Sequence, residues 1–188
     1  MPGIDISAFW DLIERSGVGH ATRQARLEWL ENELTRLPLQ EIVEYQVHYE
    51  TTRGRGHSDD MLGAYWQVFG SSINGFHYGV SWLISLGREP YEKVVEQPDL
   101  LTTLPQVVAA YANLWCWTDE ERPEFERLDY VAMRACRKMG VGEAFSAAVF
   151  EQRPSGYEWL GEKWDCEDGA EAERRLPLTM AFLRSDGT

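Results

Sequence analysis

A chain of 188 residues can bury roughly 70% of the surface its unfolded form exposes, so one core is the expectation. With 44% hydrophobic and 12% aromatic residues, the composition is not that of a disordered chain. A formal net charge of -13 argues against a phosphate-backbone partner, because nucleic-acid affinity comes largely from basic side chains displacing counterions.

No run reaches the roughly 18 to 20 apolar residues of a membrane helix, and the N-terminus lacks a basic stretch followed by an apolar one. The expectation is a cytoplasmic protein with no membrane and no nucleic-acid partner. Cys116, Cys136 and Cys166 are odd in number and far apart, which suits reduced thiols better than a disulfide framework or zinc site.

In chain order, residues 5 to 15 read as a first helix, capped by Asp5 or Ser7, with Ile6, Phe9, Trp10 and Ile13 as its apolar stripe. A second runs from about His20 to Leu37 with Leu27, Leu30 and Leu34 inward. Pro38 opens a third, carrying Leu39, Ile42, Tyr45 and Tyr49. Residues 51 to 57, TTRGRGH, read as a flexible basic connector. Ser58 caps a fourth helix through Met61, Tyr65, Trp66 and Phe69.

Residues 74 to 92 form the organising stretch, apolar nearly all round and punctuated by glycine. Phe76, Val80, Leu83 and Ile84 share one face, and Tyr78, Trp82 and Leu86 cover much of the rest. Its continuous polar line is Asn74, His77, Ser81, Ser85 and Arg88. Gly87 stops the helix, and Pro90 bars its return.

Short helices are then expected at 90 to 97, through Val107 to Trp115, from Pro123 to Met139, and through Phe145 and Val149. From Arg153 the chain changes character, with Pro154, Gly156, an acidic run, Trp159 and Trp164, and is expected to lie across the bundle before a final turn at 170 to 176. The fold class is all-α: a single irregular helical bundle over 1 to 150, with residues 151 to 188 wrapped on it as an extended segment.

Phe9, Trp10, Leu37, Pro38, Glu41 and Ile42, then Gly75, Phe76, Tyr78, Trp82, Leu83, Ile84, Gly87, Arg88, Tyr91 and Glu92, followed by Pro98, Asp99 and Leu100, form a pattern. With these residues the chain resembles a bacterial family known only as domain of unknown function 4240. The resemblance continues more weakly through Tyr130 and Ala132 to Gly140, and again at GEKWDCED, Leu176, Pro177 and Phe182. It implies a helical bundle and no known activity. The family pattern usually carries two successive aspartates before its Gly-Phe pair, where this chain has Ile73 and Asn74.

Three groups are candidates for function. His77 titrates nearest neutrality, with Ser81 one turn on and Arg88 for an anionic group; the plainer reading is a solvent-facing line with Arg88 paired to Glu92. Glu44 and His48 stand one turn apart, with Glu50, His57, Asp59 and Asp60 following, either a weak metal-binding pattern or ordinary exposed residues. Trp66, Trp82, Trp115, Trp117, Trp159 and Trp164 suit a ligand pocket, a core or an interface.

The leading expectation is a helical protein that binds a small aromatic or apolar molecule in a tryptophan-lined pocket, with acid/base catalysis in specialised metabolism as its enzymatic form. His77, Glu44 and Asp60 are the catalytic candidates. Asn74, Ser81, Arg88, Trp66, Trp82 and Tyr78 are the ligand-binding ones. No metal and no cofactor are assigned. The alternative is a non-enzymatic interaction module, engaging a protein partner or a second copy.

Overall fold

The computed structural model describes residues 3–153 and 159–185. The chain is all-α, with helices α1 (Ile6–Gly17), α2 (Arg23–Leu34), α3 (Leu39–Arg55), α4 (Asp59–Phe69), α5 (Ile73–Ser85) and α6 (Arg88–Glu96) in its first half. After a 3-10 turn at Pro98–Thr103 come α7 (Pro105–Ala112), a second 3-10 turn at Glu126–Tyr130, α8 (Val131–Lys138), α9 (Gly142–Gln152), α10 (Gly169–Arg175) and α11 (Pro177–Ser185).

Local chemistry accounts for several starts. Asp5, Thr22, Ser58 and Ser72 each accept a backbone N–H from the first turn that follows, satisfying a donor that has no partner inside the helix. α5 is central because it has no outward apolar economy to offer. Phe76, Val80, Leu83 and Ile84 are buried, and each contributes roughly 1.5 to 3 kcal/mol by leaving water. Gly79 lets α4 come close, since a Cβ there would overlap the Tyr65 ring. Arg26 closes the far end of α5, donating to the Ser85 carbonyl at 2.8 Å.

Around α5 the core continues through aromatic contacts. Phe9 packs on Trp10 and Tyr45, and Trp10 on Tyr91. α1 therefore reaches α3 and α6 through two side chains. Glu44 and His48 hold the chain before α1 from both sides: Glu44 accepts the Ile4 N–H at 2.8 Å, and His48 Nε2 meets the Ile4 carbonyl at 2.9 Å.

Several expected elements differ. Residues 51 to 55 are helical, the last turn of α3, because Thr52 is buried and Gly56 packs against Val80 and Tyr91. Tertiary burial outweighs two glycines here. Between Pro123 and Tyr130 a non-helical Phe125 and a 3-10 turn replace the expected α-helix, and Met139 ends exposed. α7 stops at Ala112, leaving Leu114 and Trp115 outside it.

The C-terminal part is more regular than expected. The turn at 170 to 176 is α10, and α11 follows it. α11 begins where the Asp99 carboxylate accepts the N–H groups of Leu178 at 2.9 Å and Thr179 at 2.8 Å, a cap supplied from 80 residues away. Arg175 ties this part to α4 through Asp60 at 3.2 Å, while its guanidinium lies over Trp164. Trp164 fits against Gly63, where a Cβ would overlap its ring. Pro154 and Gly156 lie outside the described residues. Among the described helices none is long and apolar enough to cross a membrane.

Candidate functional site

A cavity of about 310 Å³ opens where α3, α5 and the 3-10 turn at Glu126–Tyr130 meet, lined by Arg53, His57, Asn74, His77, Asp129 and Trp159, with Tyr78 and Tyr130 at its side. α3 supplies Arg53 and, one residue past its cap, His57. α5 supplies Asn74, His77 and Tyr78, because 74, 77 and 78 fall on one face of a helix. The turn supplies Asp129.

One wall is an ion pair with hydroxyl support. Arg53 pairs with one oxygen of Asp129, and their side chains are 22% and 11% exposed. The other oxygen accepts Ser81 Oγ at 2.6 Å and the Tyr49 hydroxyl. Three donors thus converge on one carboxylate, the arrangement that makes a desolvated charge tolerable. Burial, and then the Asp129 charge, push the Tyr49 phenol well above its ordinary range, so it remains a donor.

The opposite wall is a histidine pair. His57 Nδ1 lies 2.8 Å from the Arg53 carbonyl, and His57 Nε2 lies 2.5 Å from His77 Nδ1. A carbonyl only accepts, so His57 carries its proton on Nδ1 and presents Nε2 as an acceptor. His77 must then donate from Nδ1, which leaves a lone pair on its Nε2. The surroundings push both rings toward the neutral form. Burial lowers His57 to about 4, with the charges of His77 and Arg53 acting the same way against the hydrogen bond to the Arg53 carbonyl. His77 is lowered by burial, then by Arg53, with Asp129 opposing.

Trp159 covers the pair. Its ring stacks on Phe76 at 5.8 Å and stands edge-on to His57 at 5.8 Å, yet remains 41% exposed. A single parallel bridge between Ser58 and Leu160 fixes it, with Leu160 N–H donating to the His57 carbonyl at 3.0 Å. Arg53 and His57 are both anchored through backbone as well as side chain, so the cavity is preorganised.

Residues 4–138 match the family described as Protein of unknown function (DUF4240). The chain belongs to this family. No match was found among curated proteins or among solved structures. Family membership carries no activity with it, so the chemistry rests on the residues. The two residues before the Gly-Phe pair face different hollows: Asn74 lines the histidine cavity, and Ile73 lines a separate groove with Leu62, Trp66 and Trp164.

Of the residues expected from sequence, the fold brings Asn74, His77 and Tyr78 to the cavity and Ser81 to the carboxylate behind it. The others lie elsewhere. Glu44 holds Ile4, and Asp60 holds Arg175. Arg88 is exposed at the start of α6, and Glu92 is held by Arg55 through two hydrogen bonds at 2.9 and 2.6 Å. Trp66 lines the separate groove, and Trp82 is buried edge-on against Phe69. Among the described residues no group of three or more His, Cys, Asp or Glu is placed to hold a metal ion.

Arg53, Asp129 and Tyr130 carry no local signal of a site. Arg53 sits in the glycine-rich end of α3, and Asp129 lies 76 residues away. The one available hint was an aspartate set between Leu128 and Tyr130 in a stretch expected to be buried.

Proposed function

We propose that this protein binds a small, uncharged aromatic molecule in the cavity beside His77, with His77 Nε2 accepting a proton or hydrogen bond from it. One observation carries the reading: hydrogen bonds commit both ring nitrogens of His57 and Nδ1 of His77, and among the described residues none bonds His77 Nε2. Arg53 is matched by Asp129, which disfavours a net charge on the ligand. Trp159 and Tyr130, 41% and 50% exposed, offer ring faces. A volume of about 310 Å³ lies at the small end of ligand sites.

In a catalytic version His77 takes a proton from the bound molecule, and the imidazolium that forms is stabilised by Asp129, which already opposes the lowering of its pKa. His57 orients the base and does not itself titrate near neutrality. The interaction-module reading draws less support, because Trp164 spends its ring within the chain, at Gly63 and beneath the Arg175 guanidinium.

Screening phenols, azoles and their anionic counterparts by ligand-observed NMR tests this. The expected result is a set of neutral aromatic hits that His77→Gln weakens by about ten-fold, the worth of one good hydrogen bond, without a change in Tm. Hits unaffected by His77→Gln, or hits displaced to the groove between Trp66 and Trp164, would contradict the assignment.

A further inference from the structure

A second, smaller hollow of about 140 Å³ lies on the other side of α4's C-terminus, walled by Tyr65, Phe69, Trp115 and Trp117 and flanked by Glu124 and Arg122. The rings touch in turn: Phe69 meets Trp117 edge-on at 6.0 Å, and Trp115 lies tilted 5.8 Å from Trp117. A cavity of this size holds a molecule like benzene. A methylated ammonium head is no larger.

Trp115 is the telling residue. Its φ is +67°, the one positive value outside glycine among the described residues. A bulky side chain in that region is strained, and it persists only where the surroundings fix it. Burial is not what it gains, because the ring is 68% exposed. What the conformation achieves is placement: the ring lies over Gly70, which itself takes a left-handed φ to end α4 and has no side chain to obstruct it. Trp117, by contrast, is anchored through its Nε1–H to the Ala110 carbonyl at 2.7 Å.

Glu124 adds charge. Its carboxylate accepts only Ser71 Oγ, at 3.4 Å, and forms no ion pair within 4.0 Å among the described residues. Gly75 makes room for it, since a Cβ there would crowd both Ser71 and Glu124. Arg23 is occupied with the backbone carbonyls of Glu124 and Arg122, which leaves the Glu124 carboxylate to act with the rings on a cation, through Coulomb energy and ring quadrupoles together. Arg122 on the same rim opposes a bare cation but suits a ligand with an anionic group close to its ammonium.

We propose that the Trp115–Trp117 hollow is a binding site for a free, methylated ammonium zwitterion of the betaine class, distinct from the histidine cavity. The trimethylammonium head sits among the rings and against Glu124, and the carboxylate meets Arg122. No bond is made or broken.

The test titrates the full chain with glycine betaine and with its carbon isostere tert-butylacetate, at fixed ionic strength, by calorimetry and by the N-methyl proton resonance. Betaine is expected to bind saturably with an upfield ring-current shift, and the isostere at least about ten-fold more weakly, the worth of a desolvated cation–π contact. Trp115→Gly is expected to abolish the shift while Tm holds or rises, because glycine accepts that φ without strain. Glu124→Gln is expected to weaken binding several-fold. Equal binding of the isostere, full binding by Trp115→Gly, or no betaine binding would overturn the proposal. So would binding of phosphatidylcholine vesicles or of a trimethyllysine peptide in the absence of betaine binding, since each assigns the cage to a different source.

Discussion

Asp129→Ala is expected to cost about 3 to 5 kcal/mol of stability, the range for breaking a desolvated ion pair from one side. The loss exceeds that of one contact. Arg53 loses its carboxylate, and Ser81 Oγ and the Tyr49 hydroxyl lose their acceptor in places where neither residue meets water. Urea denaturation at neutral pH measures it. Asp129→Asn is expected to cost less, because an amide oxygen keeps one acceptor and the shape is preserved. A loss below about 1 kcal/mol for the alanine variant would mean that the pair behaves as an exposed surface bridge. The cavity would then lack the fixed wall assigned to it.

His57→Asn is expected to remove much of the protein's sensitivity to mild acid. The folded protein holds His57 at about 4, below the ordinary value of 6.5. Between those values the unfolded chain binds a proton that the folded one does not, so stability falls as pH falls. The stability conferred by neutral His57 is fully present above pH 6.5 and is lost on descending to about pH 4, a total of about 3 kcal/mol. His77 acts in the same direction. Denaturant titrations at pH 7 and pH 4.5 should therefore show a smaller loss in His57→Asn than in the parent, since asparagine keeps a donor for the Arg53 carbonyl and has nothing to protonate. Equal losses would place the acid sensitivity elsewhere.

Asp129 and His57 act through partners distant in sequence, whereas the signals that mark α5 are local. α5 stands out because a helix that is apolar on nearly every side can only be internal, and its capping serine and terminal glycine are local signals. The polar line along it was visible for the same reason. Its fate was not. Asn74, His77 and Ser81 face the cavity and its carboxylate, whereas Ser85 bonds the Trp82 carbonyl and Arg88 belongs to the next helix. Gly87, with φ +105°, turns the chain between them, so the five positions share a line in sequence but not in space.

Non-local closure hid the remainder. RGRG looks like a connector until Val80 and Tyr91 are known to receive Gly56, and then it is the end of the helix that supplies Arg53. Glu44 and His48 have a spacing that suits a metal, yet both are consumed in holding Ile4. α11 lacks a cap of its own in the residues before it, because Asp99 provides one from the far end of α6's connection. Trp115 reads as one more core aromatic until its backbone angle separates it from the helix it follows.

His77 presents a bare Nε2 because His57 and the Arg53 carbonyl fix the tautomers of both rings. A long-range nitrogen–proton NMR correlation of the imidazole side chains at pH 7 tests it directly. The expected spectrum has both His57 and His77 neutral with the proton on Nδ1, and His77→Gln removes one of the two patterns. A His77 ring protonated on Nε2, or charged at pH 7, would mean that His57 does not fix its tautomer.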